Sequence, residues 1–285
     1  MFSYTCRAQH LELRSVISQI ADKSCVHLGV FMRLLETEDT LSYHNSEHYV
    51  MQSMFKFPIA IMVLNQVDAS KLRLNQQVYL TKEDLKKNTV SALFDKYPNA
   101  NVSVSIAEIL TDMVTLSDNN ACDVLLKLLG GPISVEKYIK GLGVENIQIR
   151  FNEQEMHANW NDQYLNWCTP SAQVELLQMI FEQKILSVAS NDLLRKLMRE
   201  TYVTPKRIRY LLPKGTVVEH RSGSSGTNDQ GLSPATNDIA TITLPNGKHL
   251  AIAILLTDSH DDDIKRDLII AQIANAAYDE FLKSR

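Results

Sequence analysis

The amino-acid sequence predicts a two-lobe fold, in which both ends of the chain build an α/β lobe and the middle builds an all-α lobe. Extended apolar segments are confined to residues 26–44 and 216–257, whereas helical periodicity dominates residues 53–200. The two strands of the first group and the three strands of the second are each too few for a stable sheet. We therefore expect them to join in one five-stranded antiparallel sheet, flanked by the terminal helices.

The elements of the α/β lobe follow from the periodicity of the two chain ends. Helices are predicted over residues 11–21 and about 262–282, and strands over residues 26–35, 40–44, 216–222, 238–244 and 250–257. Asn246-Gly247 predicts a hairpin turn between the last two strands. The acidic run at residues 258–263 resembles a metal site, but acids ahead of a helix also interact favourably with its positive end. We interpret this run as a helix start.

The predicted helices of the middle lobe end at glycines or polar residues. They cover residues 55–67, 106–116, 119–129, 135–142, 171–182 and 192–199. Residues 151–170 are polar and aromatic without a period, and a connection of this length inside a compact region is usually functional. We place the lobe boundaries at 8–48 and 203–285 for the α/β lobe and at 49–202 for the helical lobe.

Composition and charge exclude several classes of protein. The chain has 285 residues, a net charge of -4 and no long basic run, so we expect no nucleic-acid partner. Its apolar runs are far shorter than the roughly 20 residues that span a bilayer, so we expect no membrane segment. Four scattered cysteines, at positions 6, 25, 122 and 168, lack the spacing of a zinc or redox site and are each predicted to be buried. We expect no metal or other cofactor, a small-molecule substrate and a monomer.

Ser53 and Lys56 stand three residues apart at the start of a predicted apolar helix. Residues at this spacing share one face of a helix, so the hydroxyl and the amine can touch. An amine shielded from water loses its proton readily, and a neutral amine beside a hydroxyl is a general base. The alternative is that Ser53 caps the helix while Lys56 reaches solvent. The pair alone does not decide between the two.

Three further segments carry polar groups suited to a site, although each also has a structural interpretation. Ser117-Asp118-Asn119 can be a helix cap. Residues 220–226, His-Arg-Ser-Gly-Ser-Ser-Gly, suit either a carboxylate ligand held by two arginine bonds or a solvated strand end. Glu153 lies in the unpatterned stretch, where an acid can have either a chemical role or none. The order of the four motifs along the chain nevertheless makes independent coincidence remote.

With these motifs in this order, the sequence resembles the class A serine β-lactamases from about residue 11 to the C-terminal helix, and it is most similar to their PER-type branch. Segments 152–157, 163–167 and 211–218 carry the closer resemblance. The resemblance implies the serine β-lactamase/transpeptidase-like fold, with an active site between the lobes. It implies hydrolysis of penicillins and cephalosporins through an acyl-serine, which confers antibiotic resistance.

The resemblance also implies a periplasmic protein whose leader has been removed. The first seven residues themselves contain no signal-peptide core, which equally fits a cytoplasmic protein. Composition does not choose between these two locations.

The resemblance implies a role for each site residue. Ser53 would attack the lactam carbonyl, and either Lys56 or Glu153, acting through a water, would take its proton. Backbone amides of Ser53 and Ser224 would form the oxyanion hole. Ser117 would relay a proton to the departing nitrogen, and Glu153 would activate the water for deacylation. The further residues implied in substrate binding are Asn119, for the side-chain amide of the substrate, with Arg221, Ser222 and Gly223; the supporting neighbours are Gln52, Asp123 and His157.

The sequence departs from the usual family pattern at several positions. Arg221 stands where the Lys-Thr-Gly motif has lysine, and the positive charge is kept. His157 replaces an asparagine that usually helps to hold the deacylating water, although the PER-type branch shares this histidine. Phe151 and Asn166 replace the ion pair that usually fixes the active-site loop, so we expect another contact to hold it and a wider site that admits oxyimino cephalosporins. Ala60 stands where the family's frequent disulfide has a cysteine.

Two other functions remain as alternatives on the same scaffold. A penicillin-binding receptor or sensor domain would be acylated at Ser53 and would release product over hours. A D-Ala-D-Ala peptidase would share the Ser-x-x-Lys and Lys-Thr-Gly motifs. Neither uses a loop glutamate to activate water, so Glu153 favours the hydrolase.

Overall fold

The structure, a computed structural model, describes residues 10–37 and 39–283. Its helices are α1 (Leu11–Asp22), α2 (Lys56–Asp68), α3 (Ala92–Lys96), α4 (Ile106–Thr115), α5 (Asn119–Leu128), α6 (Pro132–Gly141), α7 (Glu153–Ala158), α8 (Pro170–Phe181), α9 (Val188–Arg199) and α10 (Asp263–Lys283). Its strands are β1 (His27–Leu34), β2 (Thr40–Tyr43), β3 (Tyr49–Val50), β4 (Gln77–Leu80), β5 (Val102–Ser105), β6 (Ile147–Gln148), β7 (Trp167–Cys168), β8 (Val218–Ser224), β9 (Thr236–Thr243) and β10 (His249–Thr257). Short 3₁₀ helices cover Gln52–Phe55 and Trp160–Leu165.

The main sheet combines strands from both ends of the chain. Its order is β2-β1-β10-β9-β8, and every neighbouring pair is antiparallel. The predicted five-stranded sheet is therefore confirmed. Strand β8 begins and ends two residues later than predicted, because its ladder with β9 runs from Val218↔Ile242 to Ser224↔Thr236. It forms one edge of the sheet, and this edge borders the site described below.

The sheet is buried on both faces, which explains why β10 reads as an unbroken apolar run. Ala251, Ala253 and Leu255 pack with the helices of the middle region. The residues between them pack in a second core with α1 and α10. Successive side chains of a strand point to opposite faces, so each face receives its own set of apolar residues. The sheet thus separates two hydrophobic cores.

The middle region is predominantly helical, as predicted, around α2. Between Phe57 and Leu64, every apolar residue of α2 except the half-buried Met62 is buried, as expected for a central helix. Two small sheets, β3-β7-β6 and β4-β5, also lie in this part of the chain. Their strands have two to four residues and are too short to produce a recognisable period. The boundaries of the two lobes stay a prediction.

The acidic run before α10 supports the start of that helix. Asp262 Oδ1 accepts a hydrogen bond from Lys265 N at 2.7 Å, and Asp261 Oδ2 accepts one from Cys25 N at 3.0 Å. No group of three or more side chains able to hold a metal ion occurs within residues 10–37 and 39–283. In the same described ranges, no helix combines the length and the apolar character needed to span a membrane.

The prediction for the cysteines is correct at two positions and wrong at one. Cys122 and Cys168 are buried. Cys25 is exposed, because it lies in the connection between α1 and β1 rather than in either element. Cys6 lies outside the described residues.

Candidate active site

Ser53 and Lys56 meet in a cleft between β8 and the helices of the middle region. Lys56 Nζ lies 2.9 Å from Ser53 Oγ. Lys56 is fully buried, so the alternative in which this amine reaches solvent is wrong. The 3₁₀ helix that carries Ser53 and the α2 helix that follows it have no side-chain cap. The two residues therefore form a buried hydroxyl and amine pair.

Acceptor oxygens from two other segments surround the Lys56 amine. Glu153 Oε1 lies 2.6 Å from Lys56 Nζ and 3.4 Å from Ser53 Oγ. Asn119 Oδ1 lies 2.6 Å from the same nitrogen, and the Ser117 carbonyl oxygen lies 2.9 Å from it. Glu153 is buried as well. The structure thus brings three motifs of the sequence within hydrogen-bond distance of one amine.

The Ser-Asp-Asn segment is both a helix cap and a part of the site. Asp118 is the N-cap of α5, and its Oδ1 accepts a hydrogen bond from Ala121 N at 2.8 Å. Ser117 precedes it with φ of 60°, and Gln52, immediately before the nucleophile candidate, has φ of 46°. Such left-handed backbone at residues other than glycine is costly and clusters at active sites. Both strained residues lie next to Lys56 or Ser53 in the structure.

Strand β8 passes so close to the Ser53 segment that only glycine fits at position 223. A Cβ atom added to Gly223 would lie 2.3 Å from the Met51 carbonyl oxygen and 3.2 Å from Ser53 N. Ser225 N donates to Ala235 O, so the ladder with β9 continues through residue 225. In an antiparallel ladder the hydrogen-bonded pairs alternate, and the amide of Ser224 is therefore directed away from β9, toward the free edge. Ser53 N lies near the same edge, 3.2 Å from the Cβ position built at Gly223.

Arg221 does not offer its guanidinium to a ligand, and the predicted two-bond grip on a carboxylate is wrong. The side chain is buried, and it donates to Ser53 O at 3.0 Å, to Val114 O at 3.3 Å and to Ser117 Oγ at 2.7 Å. Burial lowers the pKa of the Arg221 guanidinium to about 10, so it remains charged at neutral pH. Arg221 instead orients Ser117 Oγ and places a positive charge behind the cleft.

Arg207 is a second arginine of the site, and the sequence offered no motif that would identify it. Its Nη2 donates to Ser224 Oγ at 2.7 Å, and its Nη1 donates to the Gly223 carbonyl oxygen at 3.1 Å. Asp267 of α10 holds it from behind, with 2.7 Å between Arg207 Nε and Asp267 Oδ1. Ser222, Gly223 and Ser224 line the cleft along β8. The cation that contacts the exposed Ser224 hydroxyl is thus Arg207, which is not a residue of β8.

Side-chain hydrogen bonds replace the ion pair that the active-site loop lacks. Asn166 Oδ1 accepts from Arg150 N and Phe151 N at 2.7 and 3.0 Å, and Asn166 Nδ2 donates to the Phe151 carbonyl oxygen at 2.8 Å. Gln52 Nε2 donates to Gln163 Oε1 at 2.7 Å. These contacts tie both sides of the loop to each other and to the Ser53 segment. From the sequence we expected some contact to replace the ion pair, and these hydrogen bonds are that contact.

Asp123 and His157 hold the two ends of α7. Asp123 accepts hydrogen bonds from Glu153 N at 2.8 Å and from Gln154 N at 3.0 Å, and burial raises the pKa of its carboxyl to about 6. His157 Nδ1 lies 2.6 Å from the Glu153 carbonyl oxygen. The His157 side chain is 60% exposed, so it is not packed into the loop. It lines the cleft together with Glu153.

Comparison with known proteins decides the family. A model of the beta-lactamase enzyme family matches residues 12–281. The chain belongs to the beta-lactamase enzyme family. It is 38% identical to β-lactamase VEB-1 of Pseudomonas aeruginosa over 277 residues, which cover 96% of this chain and 92% of that protein. It is also 38% identical to the extended-spectrum β-lactamase PER-1 of Pseudomonas aeruginosa, with coverage of 99% and 91%.

A solved structure extends this relationship to the whole fold. The crystal structure of TLA-1 extended-spectrum β-lactamase superposes with a TM-score of 0.94 at 44% sequence identity, and the match covers 95% of this chain and 99% of that one. The chain is therefore a class A serine β-lactamase with the two-lobe fold of that class, and its reaction is the hydrolysis of β-lactams. This confirms the resemblance drawn from the motifs, including its likeness to the PER-type branch.

Proposed function

We propose that Ser53 is the nucleophile of β-lactam hydrolysis and that Lys56 and Glu153 form the proton-transfer pair that serves it. The observation that carries the proposal is the position of Lys56 Nζ, 2.9 Å from Ser53 Oγ and 2.6 Å from Glu153 Oε1. A proton that leaves Ser53 can reach either partner, because all three groups are within hydrogen-bond distance of one another or close to it. Lys56 and Glu153 then accept the Ser53 proton as a coupled pair. The two candidate bases differ only in which of them carries this proton after the transfer.

Acylation forms a bond between Ser53 Oγ and the lactam carbonyl carbon and breaks the ring C–N bond. Negative charge develops on the carbonyl oxygen, where the amides of Ser53 and Ser224 stabilise it. The ring nitrogen takes a proton from Ser117 Oγ, which lies 3.4 Å from Lys56 Nζ and 2.7 Å from Arg221 Nη2. Ser117 can therefore regain a proton from the lysine side while the arginine charge favours its ionised form.

Deacylation requires a water that attacks the ester formed at Ser53. In our proposal Glu153 takes a proton from this water, and Asp123 keeps the glutamate in place through the two amides at the start of α7. The contact between His157 Nδ1 and the Glu153 carbonyl oxygen requires the proton on Nδ1, because a carbonyl only accepts. We propose that the His157 ring, which lines the cleft together with Glu153, helps to hold the same water. The histidine can in this way replace the usual asparagine.

The substrates that we propose include bulky oxyimino cephalosporins. The cleft at Ser53 has a volume of about 360 Å³. A second cavity of about 260 Å³ shares Asn119, Glu153 and His157 with it and offers room for a large acyl side chain. The extended-spectrum relatives support this range. We further propose that the enzyme acts in the periplasm as a monomer and that Asn119 binds the side-chain amide of the substrate.

The test is turnover of a chromogenic cephalosporin by the wild-type protein and by Glu153→Gln. We expect many turnovers in the parent, a loss of about 10²- to 10⁴-fold in the variant, and a stable adduct at Ser53 in the mass spectrum of that variant. Glu155→Gln is the matched control, because Glu155 is an exposed residue of the same helix whose carboxylate accepts from Asn152 N. A single burst without turnover in both proteins would instead indicate a penicillin-binding receptor.

A further inference from the structure

Asn237 of β9 is a fully buried polar residue that the proposed reaction steps do not use. Its Nδ2 donates to the Val50 carbonyl oxygen at 2.7 Å and to the Met51 carbonyl oxygen at 3.3 Å. Its Oδ1 accepts a hydrogen bond from Leu256 N at 3.1 Å. A carbonyl oxygen only accepts and a backbone N–H only donates, so these partners leave one orientation for the side-chain amide. Both of its protons are directed at the chain just before Ser53.

Asn237 and Gly223 together form a notch in the sheet that receives this part of the chain. The two residues are partners in the ladder between β8 and β9, and directly opposite residues of an antiparallel pair point to the same face. At Gly223 the missing side chain makes room for the Met51 carbonyl oxygen, which would lie 2.3 Å from a Cβ atom at that position. At Asn237 the side chain binds the same oxygen. Strand β8 thus admits the segment, and β9 holds it.

The residues that Asn237 holds lie immediately before a strained residue. Gln52 has φ of 46°, a left-handed conformation that a residue other than glycine keeps only when its surroundings determine it. The two carbonyl groups bound by Asn237 belong to the two residues before Gln52. Ser53 follows directly, so the positions of its hydroxyl and its amide depend on the direction in which the chain leaves Gln52. A clamp on residues 50 and 51 therefore acts on Ser53 without touching it.

We propose that Asn237 is a positioning residue for Ser53. By holding two carbonyl groups, its amide maintains the Gln52 conformation that presents Ser53 to the cleft. The proposal rests on the function proposed above, in which Ser53 is the nucleophile. Asn237 contacts no part of the substrate in this role, so β-lactams with different side chains depend on it to the same extent. Loss of the clamp slows acylation, because the rate falls steeply when reacting groups are displaced.

The experiment follows acylation of Ser53 by rapid-quench mass spectrometry, with the Glu153→Gln protein as the parent because its adduct is expected to persist. The fraction of molecules that become acylated reports how much protein is folded, and the rate constant reports how well Ser53 is placed. Asn237→Leu in this parent keeps the approximate size of the side chain and removes both donors. We expect the rate constant to fall about 10- to 100-fold, by the same factor with benzylpenicillin and with 6-aminopenicillanic acid. A purely structural role would lower the acylated fraction and leave the rate constant unchanged.

Two further variants separate positioning from a general effect on the fold. Asn237→Ala repeats the test with a smaller side chain, and protein that folds only in part still gives a rate constant from its acylated fraction. Asn191→Ala is the matched control, because Asn191 of α9 is equally buried and its amide has no hydrogen-bond partner among the described residues; its rate constant is expected to equal that of the parent. A parent-like rate constant in both Asn237 variants, or an equal loss in Asn191→Ala, would overturn the proposal and leave Ser53 as the nucleophile. Absence of an adduct at Ser53 in the parent would overturn the proposed function itself.

Discussion

Replacement of Gly223 by alanine tests whether the close approach of β8 to the Ser53 segment creates the proposed oxyanion hole. The added Cβ would lie 2.3 Å from the Met51 carbonyl oxygen. Carbon and oxygen without a covalent bond need roughly 3.3 Å, so the strand must move by about 1 Å. The amide of Ser224 is the next along the strand and moves with it. The 3.0 Å and 3.2 Å contacts to Met54 N and Ser53 N prevent the new methyl group from turning aside.

A displacement of this size is expected to reduce kcat by about 10²- to 10³-fold, as does the loss of one oxyanion donor. The cost of overpacking is about 1 to 3 kcal/mol in the free energy of unfolding, which leaves a folded protein to assay. Steady-state kinetics with a chromogenic cephalosporin give kcat, and urea unfolding gives the stability. Gly141→Ala is the control, because no atom lies within 4 Å of its added Cβ. A Gly223→Ala enzyme with wild-type kcat would refute the reasoning.

Two further predictions concern stability. Burial raises the pKa of the Asp123 carboxyl from 3.8 to about 6, so the native protein binds more protons than the unfolded chain between these values, and stability falls as the pH rises through this window by about 3 kcal/mol. Asp123→Asn should remove this dependence, which urea unfolding at pH 4, 5 and 7 would reveal, and parallel curves for both proteins would contradict it. In Gly29→Ala the new Cβ would lie 2.3 to 2.6 Å from the Tyr49 ring. This variant should lose about 1 to 3 kcal/mol with little change in kcat, and an unchanged Tm would show that the ring simply moves aside.

The meeting of the motifs at one cleft could be predicted because it follows from residue types in a fixed order. Ser53, Lys56, Ser117 and Glu153 each carry a group suited to the proposed reaction, and their motifs are short and contiguous. The sheet could be predicted because strands of seven to nine residues show their pattern clearly. Each motif and each long strand is recognisable from a short stretch of sequence.

Contacts between distant segments could not be predicted in the same way. The wrong interpretation of Arg221 arose because its position in a strand does not reveal whether the side chain meets a ligand or protein acceptors. Arg207 reaches Ser224 from a turn between α9 and β8 that has no motif. The bonds of Asn166 and of Gln52 with Gln163 replace an absent ion pair, and the sequence showed only that some replacement was needed.

The bonds that complete the site join residues that are far apart along the polypeptide. Ser53 contacts Glu153 across 100 positions and Arg221 across 168, and Asn237 of β9 binds the Val50 carbonyl oxygen across 187. Contacts of such long range form late in folding, after local helices are in place. A newly synthesised chain is therefore expected to be inactive until β8 and β9 have packed against the Ser53 segment. Hydrolytic activity reports completed assembly of this polypeptide, and it should return during refolding only after most of the helical signal has already recovered.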